Sequence, residues 1–132
     1  MDIKLENILI NDKGLLQYCD FGLSVLNNNL ISEKRGTQIY MAPEIHSAQE
    51  FPCRPQVTDI FSLGVLFFML AFGTPPFHSA ESSDGFFHFL KARPDSLDFF
   101  KFHPHTRMLF RANKIPVSFM KMLLAMLRAD PS

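Results

Sequence analysis

Asp2-Ile3-Lys4-Leu5-Glu6-Asn7 and Asp20-Phe21-Gly22 bracket the stretch whose reading decides the fold. Between them lie two short apolar runs, residues 8–10 and 15–18, separated by Asn11-Asp12-Lys13-Gly14. An Asn/Asp/Gly cluster between two such runs predicts a β-hairpin. Asp20-Phe21-Gly22 then ends the second strand. Further along come Gly36-Thr37-Gln38-Ile39-Tyr40-Met41-Ala42-Pro43-Glu44 and Asp59-Ile60-Phe61-Ser62-Leu63-Gly64-Val65. Each short motif is weak by itself; four of them in this order make chance a poor explanation.

Working outward, residues 24–38 are polar, Asn-rich and without period, which predicts a mobile loop. Pro43 stands where a short helix can begin, because a first-turn N–H needs no partner. Thr58 or Asp59 caps a helix running to about Phe72, where Gly73-Thr74-Pro75-Pro76 stops it. That helix is apolar almost all round, which places it at the centre of a domain. Ser82 or Ser83 caps a helix to about Lys91. Residues 95–101 form the next helix, and His103-Pro104-His105 interrupts it as a solvated turn. Phe119, Met122, Leu123, Met126 and Leu127 recur at helical spacing through residues 117–128.

Bulk properties narrow the class. The 132 residues suffice for one domain with a core, and 47% hydrophobic against 20% charged residues is a globular balance, not a disordered one. A formal net charge of zero calls for neither nucleic acid nor an anionic membrane surface. Two cysteines, Cys19 and Cys53, without an apolar leader favour free thiols in a reducing compartment, cytoplasmic or nuclear. Residues 60–72 are too short a run to span a bilayer comfortably and read as a core helix. Cys19 reads as a small buried apolar residue, and the Phe-rich residues 86–102 as core. The expected fold is mainly α with a short N-terminal β-hairpin.

In order and spacing, the four motifs resemble the catalytic loop, metal-binding loop, activation segment and central helix of the eukaryotic Ser/Thr protein kinase family. The resemblance implies a partial protein kinase domain over residues 1–132, the C-lobe truncated at both ends, from catalytic loop to penultimate helix. It implies ATP and magnesium as cofactors and a protein serine or threonine hydroxyl as substrate. Asp2 would orient the substrate hydroxyl or accept its proton, and Lys4 would contact the transferring phosphate. Asn7 and Asp20 would hold the metal through oxygen, as a hard cation prefers. Leu9 would lie under the adenine. Phe21 would pack below Asp20, and Gly22 would free the turn. Gly36, Thr37, Tyr40, Ala42, Pro43 and Glu44 would build the activation segment and substrate shelf, with Thr37 bonding near Asp2. Asp59 would anchor the catalytic loop or act as a plain N-cap. Lys4 with Gly36-Thr37 is similar to the serine/threonine branch, and residues 63–77 resemble the calcium/calmodulin-dependent and energy-sensing groups.

The resemblance also has departures. Many relatives place a phosphorylated threonine three residues before Gly36; Glu33 stands there, with Ser32 beside it, and would supply a fixed negative charge. Met1 directly precedes Asp2 where the family has His-Arg. No Gly-rich loop or strand lysine occurs, so the ATP-covering N-lobe is expected in the full-length protein. Arg128-Ala129-Asp130-Pro131-Ser132 resembles the start of a motif whose arginine pairs with Glu44. The alternative reading is a non-catalytic binding module or an incomplete gene product.

Overall fold

The computed structural model describes residues 2–25, 30–31, 33–47 and 52–130. The readings of Met1, Ser32, Pro131 and Ser132, and of part of the 24–38 loop, fall outside the described residues. Strand β1 is Ile8–Ile10 and β2 is Leu16–Tyr18, antiparallel, with Ile8 opposite Tyr18 and Ile10 opposite Leu16. The turn between them is built by Asn11, whose Oδ1 accepts from the N–H groups of Lys13 and Leu15 at 2.9 Å each. Gly14 takes φ 75, which side chains resist, so the glycine belongs there. A single 3-10 turn, Leu5–Asn7, leads into β1.

The helices follow: α1 Pro43–His46, α2 Pro55–Phe72, α3 Gly85–Ala92, α4 Asp98–Phe102, α5 Arg107–Arg111 and α6 Val117–Met126. Proline opens both α1 and α2. Helix α2 therefore begins three residues before Thr58, and neither Thr58 nor Asp59 caps it. The Thr58 hydroxyl instead donates inside the helix to the Pro55 carbonyl at 2.9 Å. Gly73 ends α2 in the left-handed region (φ 71), its N–H donating to Met69 O at 2.8 Å. The cap of α3 is Asp84, not Ser82 or Ser83: its Oδ1 accepts from Phe86 N at 2.9 Å and Phe87 N at 3.0 Å. A carboxylate takes two orphan donors at once and complements the helix dipole. The helix expected over 95–101 starts at Asp98, and α5 is an addition to the expected set. Thr106 sets the α4–α5 corner, donating to the Phe100 carbonyl at 2.7 Å with its side chain buried.

Helix α2 is the axis of the core. Phe61, Val65, Leu66 and Phe68 are buried on it, and Met120, Leu123 and Leu124 of α6 pack into the same cluster. The two helices touch at Gly64, where a Cβ would lie 2.9 Å from Met126 Cβ. By length and composition α2 could cross a membrane, with mean hydropathy 1.6; here it is the central packed element. Phe68 meets the rings of Phe72, Phe99, Phe100 and His103 within 4.6–6.3 Å. His103 is thus a buried core residue (3% exposed), which corrects the solvated turn expected at residues 103–105; His105 is exposed. An imidazole offers a flat aromatic face, so it packs among phenylalanines once its charge is suppressed. Cys53 is buried, whereas Cys19 is only half-buried, against the expectation for it.

Candidate active site

The 3-10 turn and the hairpin place Asp2, Lys4 and Asn7 beside the end of β2. The Cys19 N–H donates to the Asn7 carbonyl at 2.9 Å, one step beyond the Ile8–Tyr18 pair. That bond sets Asp20 against the loop carrying Asn7. Asp20 is exposed, adopts a left-handed backbone (φ 65), and accepts from Gly22 N at 3.1 Å on Oδ1. Aspartate tolerates this region better than most residues, because its short side chain bonds nearby backbone.

Asp2 and Lys4 meet Thr37 across a long loop. Lys4 Nζ lies 2.6 Å from Asp2 Oδ2 and donates to Thr37 Oγ1 at 3.0 Å. Thr37 donates twice to Asp2, from its N–H to Oδ1 at 2.9 Å and from its hydroxyl to Oδ2 at 3.2 Å. Gly36 has φ 107, and a Cβ there would meet Asp2 Oδ1 at 3.5 Å, so glycine brings the segment's backbone alongside the carboxylate. Burial pushes the Asp2 carboxyl up, but the Lys4 ammonium and the Thr37 donors outweigh it and hold it below the ordinary carboxylate value. Conversely, the bond to Asp2 pushes Lys4 up against the opposing effect of burial, helped by the charges of Glu6 and Asp20. A fixed carboxylate–ammonium pair results, with both charges retained across the neutral range.

Other contacts hold the platform. The Asn7 amide donates to the Asp2 carbonyl at 2.9 Å, and the Tyr18 hydroxyl donates to the same carbonyl. Tyr40 is buried, accepts on its hydroxyl from Leu5 N at 3.3 Å, and reaches Glu6 Oε2 at 3.4 Å. Burial, then the Glu6 charge against the Leu5 N–H, pushes its phenol up. Ser62 of α2 donates to the Tyr40 carbonyl at 2.7 Å. Ala42 is buried, Pro43 opens α1, and Glu44 lines a cleft of about 610 Å³ with Arg54, Lys91 and Arg128. Further back, Ile31 and Cys53 exchange backbone bonds at 2.9 Å in both directions, tying the segment to the strand of chain before α2.

Not every expected residue converges. Phe21 is 61% exposed, touching Tyr18 edge-on at 5.9 Å rather than packing below Asp20. Leu9 is half-exposed on the hairpin, and Glu33 is exposed. Asp59 lies in the second turn of α2, near enough to Tyr18 for its charge to raise that phenol alongside the larger effect of burial. Tyr18, Ser62 and the Ile31–Cys53 bridge escaped sequence reasoning. Ser62 carried a signal, since a hydroxyl inside an apolar helix must find an acceptor.

For a metal, the fit rests on oxygen. Asn7 spends its NH₂ on the Asp2 carbonyl, which leaves Oδ1 for a hard cation, and Asp20 offers an exposed carboxylate. Among the described residues no group of three or more His, Cys, Asp or Glu forms a closed metal cage. Two protein oxygens with phosphate and water completing the shell suit magnesium, which keeps much of its hydration.

A carboxylate, a lysine and a segment threonine are in contact, beside an exposed aspartate and a buried asparagine. The sequence profile of the protein kinase domain matches residues 1–132, and the chain belongs to that family. CBL-interacting protein kinase 29 of Oryza sativa subsp. japonica is 42% identical over 81 residues, 61% of this chain and 18% of that one. Serine/threonine-protein kinase Aurora-1 of Arabidopsis thaliana is 41% identical over 83 residues, 63% of this chain and 27% of that one. Serine/threonine-protein kinase 33 of Mus musculus is 38% identical over 104 residues, 68% and 20%. The chain thus spans about a fifth to a quarter of the length of these relatives.

Proposed function

We propose that this chain carries the phosphotransfer residues of an ATP-dependent protein serine/threonine kinase. The observation that carries the reading is the closed triangle of Asp2, Lys4 and Thr37. Bound MgATP supplies the phosphoryl group and the cation that neutralises it. Asp2 would orient the incoming hydroxyl and take its proton on a carboxylate oxygen as the new P–O bond forms and the bond from that phosphorus to the departing ADP oxygen breaks. Because its basicity is depressed, Asp2 acts mainly by positioning and accepts the proton late. Lys4, held at Asp2 Oδ2, is placed to follow the negative charge that develops on the transferring group. Asn7 Oδ1 and the Asp20 carboxylate would hold the metal, whose charge would neutralise the phosphates. Thr37 links the substrate shelf to Asp2, so the hydroxyl acceptor and its base are aligned by one residue.

Serine/threonine selectivity is supported by Lys4 with Gly36-Thr37 and by the names of the relatives. The test is magnesium-dependent phosphate transfer to a protein substrate by the protein bearing this chain. Asp20→Ala removes the metal's carboxylate, so transfer should fall by on the order of a thousandfold or more. Transfer that survives Asp20→Ala with its magnesium dependence intact contradicts the assignment.

A further inference from the structure

The Phe-rich residues 86–102 divide in two. Phe87, Phe99 and Phe100 are buried, as their reading as core requires, but Phe86 and Phe89 are half-buried and Phe102 is 57% exposed. Phe86, Phe89, Phe99 and Phe102, with Gly85, line an open groove of about 260 Å³ between α3 and α4. Its rings brace one another, Phe86 against Phe99 at 6.3 Å and Phe89 against Phe102 at 6.0 Å. None of the phosphotransfer residues lines it.

Charge says what fits there. Arg93 lies over the Phe89 ring at 5.7 Å and Lys101 over the Phe102 ring at 5.3 Å, so both rims are cationic. Residues 85–114 carry six lysines and arginines, all exposed, against two acids, in a chain of zero net charge. Asp95 pairs with Arg128 at 2.7 Å and Asp98 offsets Lys101 at 3.9 Å, so a net excess of four positive charges (six less two) remains over residues 85–114. An apolar slot with a basic border complements an apolar side chain flanked by carboxylates.

We propose that this groove docks an amphipathic segment of a protein partner, in which an aromatic or aliphatic anchor has acidic residues beside it. A protein segment is favoured over a lipid surface, because the site is concave and of side-chain size. Helices α4 and α5, at five residues each, are too short to offer the long apolar face that lies in a membrane interface. The proposal stands on the fold and does not depend on phosphotransfer.

The test uses the protein bearing this chain and a fluorescein-labelled short peptide with Phe and Leu four positions apart and flanking Glu residues. Anisotropy should report saturable binding, and backbone amides of α3 and α4 should shift in NMR spectra. Phe102→Glu changes an exposed ring, and Gly85→Leu fills the slot from a position where a Cβ meets nothing within 4 Å. Both should weaken binding about tenfold or more with unchanged melting. Replacing the peptide's Glu residues by Lys should weaken it similarly. The proposal is overturned if the peptide fails to bind, if the Lys version binds equally, or if neither variant matters. Phosphatidylserine vesicles bound more tightly than the peptide, and released by Phe102→Glu, would also overturn it in favour of a lipid surface.

Discussion

The Thr37 hydroxyl sits between a cation and an anion, accepting from Lys4 and donating to Asp2. Thr37→Val keeps the shape and the backbone N–H but breaks both side-chain bonds. Lys4 and Asp2 would then lose their shared brace, and phosphotransfer should fall about ten- to a hundredfold. Thr37→Ser should restore most of it, a rescue that steady-state kinetics can read. The bond between Thr37 and Asp2 was legible only through the motifs' resemblance to a known family, which implies Thr37 beside Asp2; the folded chain brings the two together. Tyr18 and Tyr40 were less so as supports. Their contacts are to backbone groups and to Glu6, and only the folded chain brings those within reach.

Elements were legible wherever the signal was local. The Asn11–Gly14 turn and the proline-initiated α1 follow from backbone preferences that neighbours cannot easily override. Helix starts were less so. Thr58 and Ser82 are good caps by residue type, but Pro55 opened α2 earlier and Asp84 offered a stronger acceptor. At five residues, α5 is too short for a period to show. A close approach between α2 and α6 also lies beyond sequence patterning. At Gly64 an added Cβ would meet Met126 Cβ at 2.9 Å and Leu127 Cδ2 at 3.2 Å. A Cβ cannot rotate away, so α2 and α6 must separate. Gly64→Ala should cost about 1–3 kcal/mol in urea unfolding. Gly85→Ala, where nothing stands within 4 Å, should leave the midpoint unchanged or raised. Equal midpoints for wild type and Gly64→Ala would contradict the packing.

Across the whole molecule, buried histidines make stability depend on pH. Burial, reinforced by the charge of His105 and opposed by the carbonyls of Pro75 and Pro76, lowers His103 to about 4 from 6.5. Above pH 6.5 neither folded nor unfolded chain holds that proton, so His103 adds no pH dependence. Between 6.5 and about 4 the unfolded chain takes up a proton that the folded core excludes. Stability should therefore fall through this window as pH drops, by on the order of 3 kcal/mol. Burial lowers His46 as well, against the pull of Glu81, and adds in the same direction. Asp2 and Asp84, both held below the ordinary carboxylate value, lose their contribution only at lower pH still. Replacing His103 by Phe should flatten the upper part of the curve, read as melting temperature against pH. Sequence pointed to a mostly helical lobe because α2 is apolar on nearly every face. It misplaced His103 because a polar residue beside proline reads as a turn until the Phe68 cluster closes over it.

The proposed phosphoryl transfer depends on the Asp2 carboxylate. Its most direct test is the rate of phosphate transfer from ATP to a serine- or threonine-containing protein, by the protein bearing this chain, before and after Asp2→Asn. The side chain keeps its size and its bond from Thr37 N–H, but loses the charge and the proton-accepting oxygen. Asp2→Asn should lower kcat on the order of 10²–10⁴-fold with KM for ATP little changed. Transfer that continues at the wild-type rate in a folded Asp2→Asn protein would contradict it.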